Sequence, residues 1–355
     1  MITYIGNKRK LLSFINNNIL LIKENLDKSQ IKVFDGFSGS GCVSRLLKYH
    51  ASKLISNDLE LYSEIINKCY LANKSEINFN LIKSNIEYLN KMKLHEMSNV
   101  GLIEKSYAPM DDFNIQKGER VFYTNTNAKI IDNIRKMINN HNTKYKPFYI
   151  APLLVESSIH TNTSGIFKGF HKKNGIGHFG GKGNNALKRI KGEINLSIPI
   201  LSEVETKVDI LRTDTNKLVD NINDLDLAYY DPPYNQHPYG SNYFMLNLIA
   251  EYNKNIEIQH GVSGITQYWN KSEYNRRGKA SRALDYLIDK TDSEYILLSY
   301  NNEGIIPSSK VREILEKYGK VELKTKEYNT YRGSRNLNNR NIKVEEQLWL
   351  IRKSQ

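Results

Sequence analysis

The sequence is poor in cysteine, and this scarcity excludes several classes of protein. Two cysteines, Cys42 and Cys69, occur among 355 residues, which is too few for a disulfide-stapled scaffold or a cysteine-rich zinc cluster. No apolar run approaches the ~20 residues of a membrane-spanning helix, and the first residues lack the charged-then-apolar pattern of a secretion signal. We therefore expect a reducing, cytoplasmic setting, with no membrane span and no metal site.

Acidic residues are scarce relative to basic ones. The chain has 51 lysine and arginine residues against 38 aspartate and glutamate residues, which gives a net charge of +13. Such an excess describes the partners of a protein rather than its fold. Nucleic acid is the first candidate partner, and an anionic membrane surface is the second.

The basic excess is greatest in residues 168–191, KGFHKKNGIGHFGGKGNNALKRIK, where seven lysine or arginine residues and six glycines occur without an acid. The segment lacks a periodic apolar face, so we predict a loop or ribbon whose cations either follow DNA phosphates or are merely solvated. The candidates for DNA contact in this segment and in two later basic runs are Lys168, Lys172, Lys173, Lys182, Arg276, Arg332 and Arg335.

Alternating helix and strand patterns predict an α/β fold with a Rossmann-like sheet. Residues 8–26 have apolar side chains at helical spacing, 31–34 form a strand before a glycine turn, a helix starts at about 42, and a second strand ends at Asn57-Asp58. Later strands end near Asp214 and include 225–230 and 294–300, and two terminal strands form an antiparallel hairpin. We predict a catalytic domain of residues 1–60 and 206–355, interrupted by a mainly helical, loop-rich insertion of residues 61–205.

Three glycines in FDGFSGSG, residues 34–41, separate the first strand from the next helix. Glycines at such a turn let the backbone approach a ligand. The turn lacks the lysine of a nucleotide-phosphate loop, and its glycine order differs from that of NAD-binding turns. S-adenosylmethionine fits better, with Asp58 placed for its ribose hydroxyls and Asp214 for its adenine amine. The alternative is a tight structural turn with solvated acids at the strand ends.

Two adjacent prolines, Pro232 and Pro233, follow the apolar run LDLAYY and Asp231. Neither suits a central strand, so Asp231-Pro232-Pro233-Tyr234 is predicted to be a stiff turn at a strand end. The Asp231 carboxylate and the Pro232 carbonyl would accept both N–H groups of a base amine and free its lone pair to attack a sulfonium methyl. Tyr234 would stack on the base. The alternative is a proline turn that only closes the strand.

These motifs, in this order, resemble the adenine-N6-specific DNA methyltransferases of the family that includes the bacterial DNA adenine methylases. YIGNK resembles the family's amino-terminal cofactor motif, FDGFSGSG its glycine motif, and DPPY its catalytic turn, although the family commonly has proline where Gly36 stands. The resemblance covers 1–60 and about 206–355, and it implies that residues 61–205 recognise the target sequence.

The resemblance implies a site-specific enzyme that flips an adenine out of duplex DNA and methylates its N6 atom. It implies that Lys8 lies near the methionine carboxylate of the cofactor. We expect the modification enzyme of a restriction-modification system, with a separate cognate endonuclease as a candidate partner. The residues expected at the cofactor are Tyr4, Lys8, Asp35, Phe37, Gly39, Asp58, Asp214 and Asp231, and those expected to be catalytic are Asp231, Pro232 and Tyr234.

Other functions stay open at this point. The same chemistry serves N4 of cytosine or adenine in RNA, and a non-catalytic DNA-binding protein can retain the same fold. Identification of the methylated nucleoside distinguishes methylation of N4 of cytosine, or of adenine in RNA, from adenine methylation in DNA. Absence of cofactor binding would favour the non-catalytic DNA-binding protein.

Overall fold

A computed structural model describes residues 2, 6–95, 100–329 and 343–354 of the chain. The chain divides into two compact units. The first, which we call the sheet unit, comprises residues 6–74, 201–239 and 270–355; the second, which we call the helical unit, comprises residues 1–5, 75–200 and 240–269. The predicted target-recognition role of residues 61–205 stays a prediction.

The strands of the described residues are β1 (Ile31–Asp35), β2 (Ala51–Asp58), β3 (Lys172–Lys173), β4 (Ile176–Gly177), β5 (Lys207–Arg212), β6 (Leu225–Tyr230), β7 (Ser293–Asn301), β8 (Gly319–Asn329) and β9 (Lys343–Lys353). The α-helices are α1 (Leu12–Leu26), α2 (Cys42–His50), α3 (Leu61–Tyr70), α4 (Phe79–Met92), α5 (Leu102–Tyr107), α6 (Asn125–Ile138), α7 (Lys146–Ile159), α8 (Leu187–Lys191), α9 (Thr215–Leu218), α10 (Tyr239–Asn242), α11 (Phe244–Glu251), α12 (Arg277–Lys290) and α13 (Ser308–Leu315). None of the helices in the described part of the chain has the length and apolar character needed to cross a bilayer.

The sheet unit is built on a seven-stranded sheet with the strand order β5-β2-β1-β6-β7-β9-β8. Strands β5, β2, β1, β6 and β7 are parallel to one another, whereas β9 pairs antiparallel with both β7 and β8. This mostly parallel arrangement confirms the predicted Rossmann-like methyltransferase fold class. The predicted terminal hairpin is confirmed as β8 and β9.

Strand β6 shows why the sheet lies between two layers of helices. Its six residues are all buried, and successive side chains point to opposite faces of a strand. Leu227 and Tyr229 belong to one apolar cluster, and Ala228 and Tyr230 belong to the other. A strand covered on both faces reads as a continuous apolar run, which explains the pattern LDLAYY.

The helical unit contains α4 to α8, α11 and the short hairpin β3–β4. Helix α7 packs against α4, α6 and α11, and α5 packs against α6. Residues 168–191 contain the hairpin β3–β4, a 3-10 turn and the helix α8. Phe170, Phe179 and Ile190 from this segment pack with Val121, so its apolar side chains form a small cluster although they show no helical or strand period.

Candidate active site

Four aspartates lie at one edge of the sheet because the strands that carry them are parallel. Asp35 ends β1 and Asp58 ends β2, whereas Asp214 and Asp231 follow β5 and β6. In doubly wound sheets, ligands bind outside the carboxyl ends of the strands, at the point where the strand order reverses. Strand β1, between β2 and β6, lies at this point.

The glycine turn is joined to the catalytic strand by a backbone hydrogen bond. Gly36 N–H donates to the carbonyl of Tyr229 at 3.0 Å, two residues before Asp231. A Cβ atom on Gly36 would lie 2.7 Å from the Tyr230 ring and 2.9 Å from Thr215 Cγ2. These contacts leave no room for a side chain, which accounts for glycine at a position where the resembled family commonly has proline.

The carboxylate of Asp58 accepts backbone hydrogen bonds from the glycine turn and from the residues that follow β2. Its Oδ2 accepts from Gly39 N at 2.8 Å and its Oδ1 from Glu60 N at 2.9 Å. Burial raises the pKa of Asp58, and these backbone donors partly oppose that rise. The backbone of Leu59 and the side chain of Ser63 also lower the pKa of Asp58 through hydrogen bonds. Gly39 adopts a φ of +50°, which favours glycine there.

Phe37 lies in the glycine turn, and Asp214 follows β5. Asp214 caps α9, since its Oδ1 accepts from Asn216 N at 2.9 Å. The Phe37 ring makes edge contacts with Tyr230 and Tyr274, with ring centroids 6.2 and 5.4 Å apart. Both residues are only partly buried, so both retain surface for a ligand.

Asp35 lies directly before Gly36 of the glycine turn. Its side chain is fully buried, and its Oδ2 accepts from Ser44 Oγ at 2.5 Å. Its Oδ1 has no hydrogen-bond partner among the described residues. Burial raises the pKa of Asp35 to about 7, against the opposing hydrogen bond from Ser44. A direct contact with a cofactor would require the second oxygen to become uncovered.

The predicted catalytic turn places Asp231 beside a buried lysine. Lys8 Nζ lies 3.1 Å from Asp231 Oδ1, and the Asp231 side chain is 20% exposed. Burial raises the pKa of Asp231 to about 6, Lys8 opposes this rise, and Glu346 adds to it. Tyr234 lies at the end of the turn, where its carbonyl accepts from Ile305 N at 2.8 Å.

Lys8 has a second carboxylate partner that the sequence did not reveal. It lies in a 3-10 helix, Lys8–Leu11, and its Nζ donates to Glu346 Oε1 at 2.6 Å. Burial by itself lowers the pKa of Lys8, but Asp231 and Glu346 raise it well above its ordinary value. The ammonium therefore joins two carboxylates of the protein. The predicted contact of Lys8 with the methionine carboxylate stays a prediction.

Comparisons with known proteins identify the family of this chain. The sequence model of one protein family, the D12 class N6 adenine-specific DNA methyltransferases, matches residues 4–314 of this chain. The type II methyltransferase M.NlaIII of Neisseria lactamica is 32% identical, with 96% of this chain and 95% of that protein covered. The chain belongs to the D12 class N6 adenine-specific DNA methyltransferase family.

Other relatives of this family member are also methyltransferases or methylases by name. The type II methyltransferase M.CviAII of Paramecium bursaria Chlorella virus 1 is 28% identical, with 93% of each chain covered. The modification methylase StsI of Streptococcus sanguinis is 30% identical over 99% of this chain, which spans 52% of that protein's length. The prediction of an adenine-specific DNA methyltransferase related to restriction-modification enzymes is confirmed at the level of the family.

In the helical unit of this D12 class protein, two of the predicted DNA-binding lysines lie on a tight hairpin. Asn174 and Gly175 join β3 to β4 with φ values of +52° and +80°, as a two-residue type I′ turn requires. Lys172 and Lys173 are exposed on β3. Asn162 anchors the hairpin, because its side-chain amide donates to the carbonyls of Val121 at 2.8 Å and His178 at 3.1 Å.

The remaining basic candidates lie in different places. Lys168 precedes the hairpin; the residue is exposed overall, but partial desolvation of its amine lowers its pKa. Lys182 begins a 3-10 turn, Lys182–Asn184. Arg276 is exposed at the start of α12 in the sheet unit. Three predicted site residues lie outside the described residues: Tyr4, Arg332 and Arg335.

Proposed function

We propose that this protein transfers a methyl group from S-adenosylmethionine to N6 of an adenine flipped out of duplex DNA, at a specific sequence. One observation carries the proposal above all others. Asp231 follows the central strand β6 with one carboxylate oxygen held by Lys8, and Gly36 of the glycine turn bonds to the same strand. The turn that suits the cofactor and the turn that suits the amine are therefore neighbours at one sheet edge.

The residues at this edge fit S-adenosylmethionine by their chemistry. The cofactor would supply an electrophilic methyl group on a sulfonium. Asp58 would accept hydrogen bonds from the ribose hydroxyls, and the partly buried Phe37 offers an apolar surface. Asp214 would accept from the adenine amine, and Gly39, which tolerates close approach, would lie against the methionine part. Tyr4 and Lys8 are proposed to complete the site.

Asp231 and Pro232 act on the amine of the target base. Lys8 occupies Oδ1 of Asp231 at 3.1 Å, which leaves Oδ2 to accept one N–H of the amine. The carbonyl of Pro232 would accept the other N–H, and the proline ring fixes the backbone φ angle at that point. Two acceptors at a fixed separation draw the nitrogen towards tetrahedral geometry, so its lone pair becomes available for transfer.

Tyr234 would hold the flipped base. Extrusion of a base costs a few kcal/mol, and stacking on an aromatic ring recovers about 1–3 kcal/mol. The ring is held from behind by an edge contact with Tyr300, with centroids 6.4 Å apart. Burial raises the pKa of Tyr234 to about 12, so its hydroxyl stays neutral at physiological pH.

The lysines of the helical unit would bind the DNA backbone. Lys172 and Lys173 are exposed on a hairpin whose base is fixed by Asn162, so their positions are defined before DNA arrives. Phosphate contacts of this kind set the position of a protein on the duplex, whereas base contacts read the sequence. Lys168, Lys182, Arg276, Arg332 and Arg335 are proposed to add to the phosphate contacts.

The names of the relatives suggest the biological setting. M.NlaIII and M.CviAII are type II methyltransferases, and StsI is a modification methylase. We therefore propose that this protein is the modification enzyme of a restriction-modification system in the cytoplasm. A separate endonuclease that cuts the same unmethylated site is the proposed partner.

Methyl transfer from labelled S-adenosylmethionine to duplex DNA, followed by digestion to nucleosides, tests the proposal. N6-methyladenine should form with the wild type, and Asp231→Ala should form none. N4-methylcytosine, or a preference for RNA over DNA, would replace the proposed substrate. Absence of both methylation and cofactor binding in calorimetry would favour a non-catalytic DNA-binding protein.

A further inference from the structure

A buried glutamate from the far end of the chain completes the surroundings of Asp231. Glu346 lies in β9, is 2% exposed, and is 338 residues from Lys8 in sequence. Its Oε1 accepts from Lys8 Nζ at 2.6 Å and from Ser299 Oγ at 2.5 Å. Its Oε2 is buried and has no hydrogen-bond partner among the described residues. Two donors thus fix one oxygen of a carboxylate that is otherwise enclosed.

Burial of a carboxylate is costly unless it is paired. Lys8 pairs with Glu346 more closely than with Asp231, at 2.6 Å against 3.1 Å. The position of the ammonium is therefore set chiefly by Glu346, which Ser299 of β7 holds in turn. Once the ammonium is fixed, it binds one defined oxygen of Asp231 and leaves the other for the substrate amine.

We propose that Glu346 is a positioning residue for methyl transfer: by holding Lys8, it determines which oxygen of Asp231 faces the amine. This inference rests on the proposed function and extends it to a residue of the terminal hairpin. Glu346 itself does not touch the reacting atoms. It acts through Lys8, so its removal should impair the chemical step more than the binding of cofactor or DNA.

The charge of Glu346 also acts on Asp231 through space. The titratable groups that interact with Asp231 come from four elements and the turn itself: Lys8, Glu346, Asp35, Tyr229 and Tyr234. Among these groups Lys8 lowers the pKa of Asp231 and Glu346 raises it. Loss of the Glu346 charge with retention of its shape should therefore move the acid limb of activity to lower pH.

Single-turnover methylation of plasmid DNA, at sites mapped with the wild type, tests the inference. Glu346→Ala should lower the rate constant of methyl transfer by about tenfold or more, since misplacement of a reacting group by ~1 Å costs on the order of 10²-fold. The dissociation constants for S-adenosylmethionine and DNA should stay nearly unchanged. Glu346→Gln keeps an oxygen for Lys8 and Ser299, so it should lose less rate and should shift the acid midpoint downward.

Glu345→Gln is the matched control, because Glu345 is the neighbour of Glu346 on β9 and faces the other side of the strand. It should change neither the rate constant nor the pH profile.

A wild-type rate and profile in both Glu346 variants would overturn the inference. A loss confined to cofactor affinity would also overturn it, because Lys8 would then be a cofactor anchor instead. If Glu346→Ala does not fold by circular dichroism, the glutamine variant decides alone. If the wild type leaves adenine unmethylated, the proposed function and this inference are both refuted. If the wild type and the Glu346 variants are all active, only the inference is refuted.

Discussion

Replacement of Lys8 by methionine tests how the ionisation of Asp231 is controlled. Lys8 is 4% exposed, so methionine keeps most of the buried chain while it removes the charge. The ionised carboxylate of Asp231 is the form that accepts the N–H of the amine. Because burial raises the pKa of Asp231 to about 6, methyl transfer by the wild type should decline as the pH falls through about 6.

The geometry of the pair sets the size of the effect. At the observed 3.1 Å, Coulomb's law with an effective dielectric constant of about 20 gives ~5 kcal/mol for a full ion pair. Glu346 shares the same ammonium at 2.6 Å, so the net effect on Asp231 is smaller. A neighbouring cation typically lowers the pKa of an aspartate by about 1–3 units. The acid midpoint of Lys8→Met should therefore lie about 1–3 pH units above that of the wild type.

The assay is the single-turnover rate constant of DNA methylation measured from pH 5 to pH 9, with the enzyme in excess over sites. Lys10→Met is the matched control, because Lys10 lies exposed in the same 3-10 helix, and its profile should match the wild type. Circular dichroism at each pH shows that the protein remains folded. An active Lys8→Met variant with an unchanged or lower acid midpoint would refute the reasoning.

Three further predictions concern stability and DNA binding. Asp35→Asn should gain on the order of 4 kcal/mol of unfolding free energy relative to the wild type between pH 4 and pH 8. Burial raises the pKa of Asp35 from 3.8 to about 7, so the wild type loses stability over this range because its unfolded chain releases the proton at a lower pH than the folded protein does. Urea denaturation measures this difference, and a pH-independent difference would contradict the prediction. Combined Lys172→Ala and Lys173→Ala should reduce the slope of log affinity for DNA against log salt concentration by about 2. Lys83 is an exposed lysine of α4, and Lys83→Ala should leave this slope unchanged. Equal slopes for all these proteins would exclude hairpin contacts with phosphates. Gly36→Ala should lower stability by about 1–3 kcal/mol, since its Cβ would lie 2.7 Å from the Tyr230 ring; a wild-type melting temperature would show that the ring moves without cost.

The sheet and its acids could be predicted because they follow from local patterns. Strands that end in Asp35 and Asp58 and the strand that Asp231 follows are separated by helical segments, and parallel strands in such a series share one carboxyl edge. The position of Gly36 beside Tyr229 then follows from the pairing of β1 with β6. The terminal hairpin was readable from two alternating runs near the end of the chain.

The partner of Lys8 could not be predicted in the same way. Glu346 is 338 residues away in sequence, and its contact depends on the register in which β9 pairs with β7. One signal was present: Glu346 is in phase with Leu348 and Leu350, which are both buried on one face of the sheet. A charge in phase with core residues is rarely buried without a partner, so the alternation pointed to a buried acid but not to the lysine that meets it.

The basic segment shows a second limit of sequence patterns. Phe170, Phe179 and Ile190 lie at irregular spacing, so no helix or strand period connects them. They pack with Val121 because the Asn174-Gly175 turn reverses the chain. Periodicity detects regular elements, whereas a cluster formed across a turn depends on tertiary contacts.

The most direct test of the central claim is the single-turnover methylation rate of Asp231→Asn, measured with the affinities for S-adenosylmethionine and DNA. Asparagine keeps the shape of the side chain but replaces the charged acceptor beside Lys8. We expect adenine methylation to slow by about 10²-fold or more, as for the loss of other preorganised electrostatic groups, while both affinities stay close to those of the wild type. Methylation of adenine by Asp231→Asn at the wild-type rate would contradict the account.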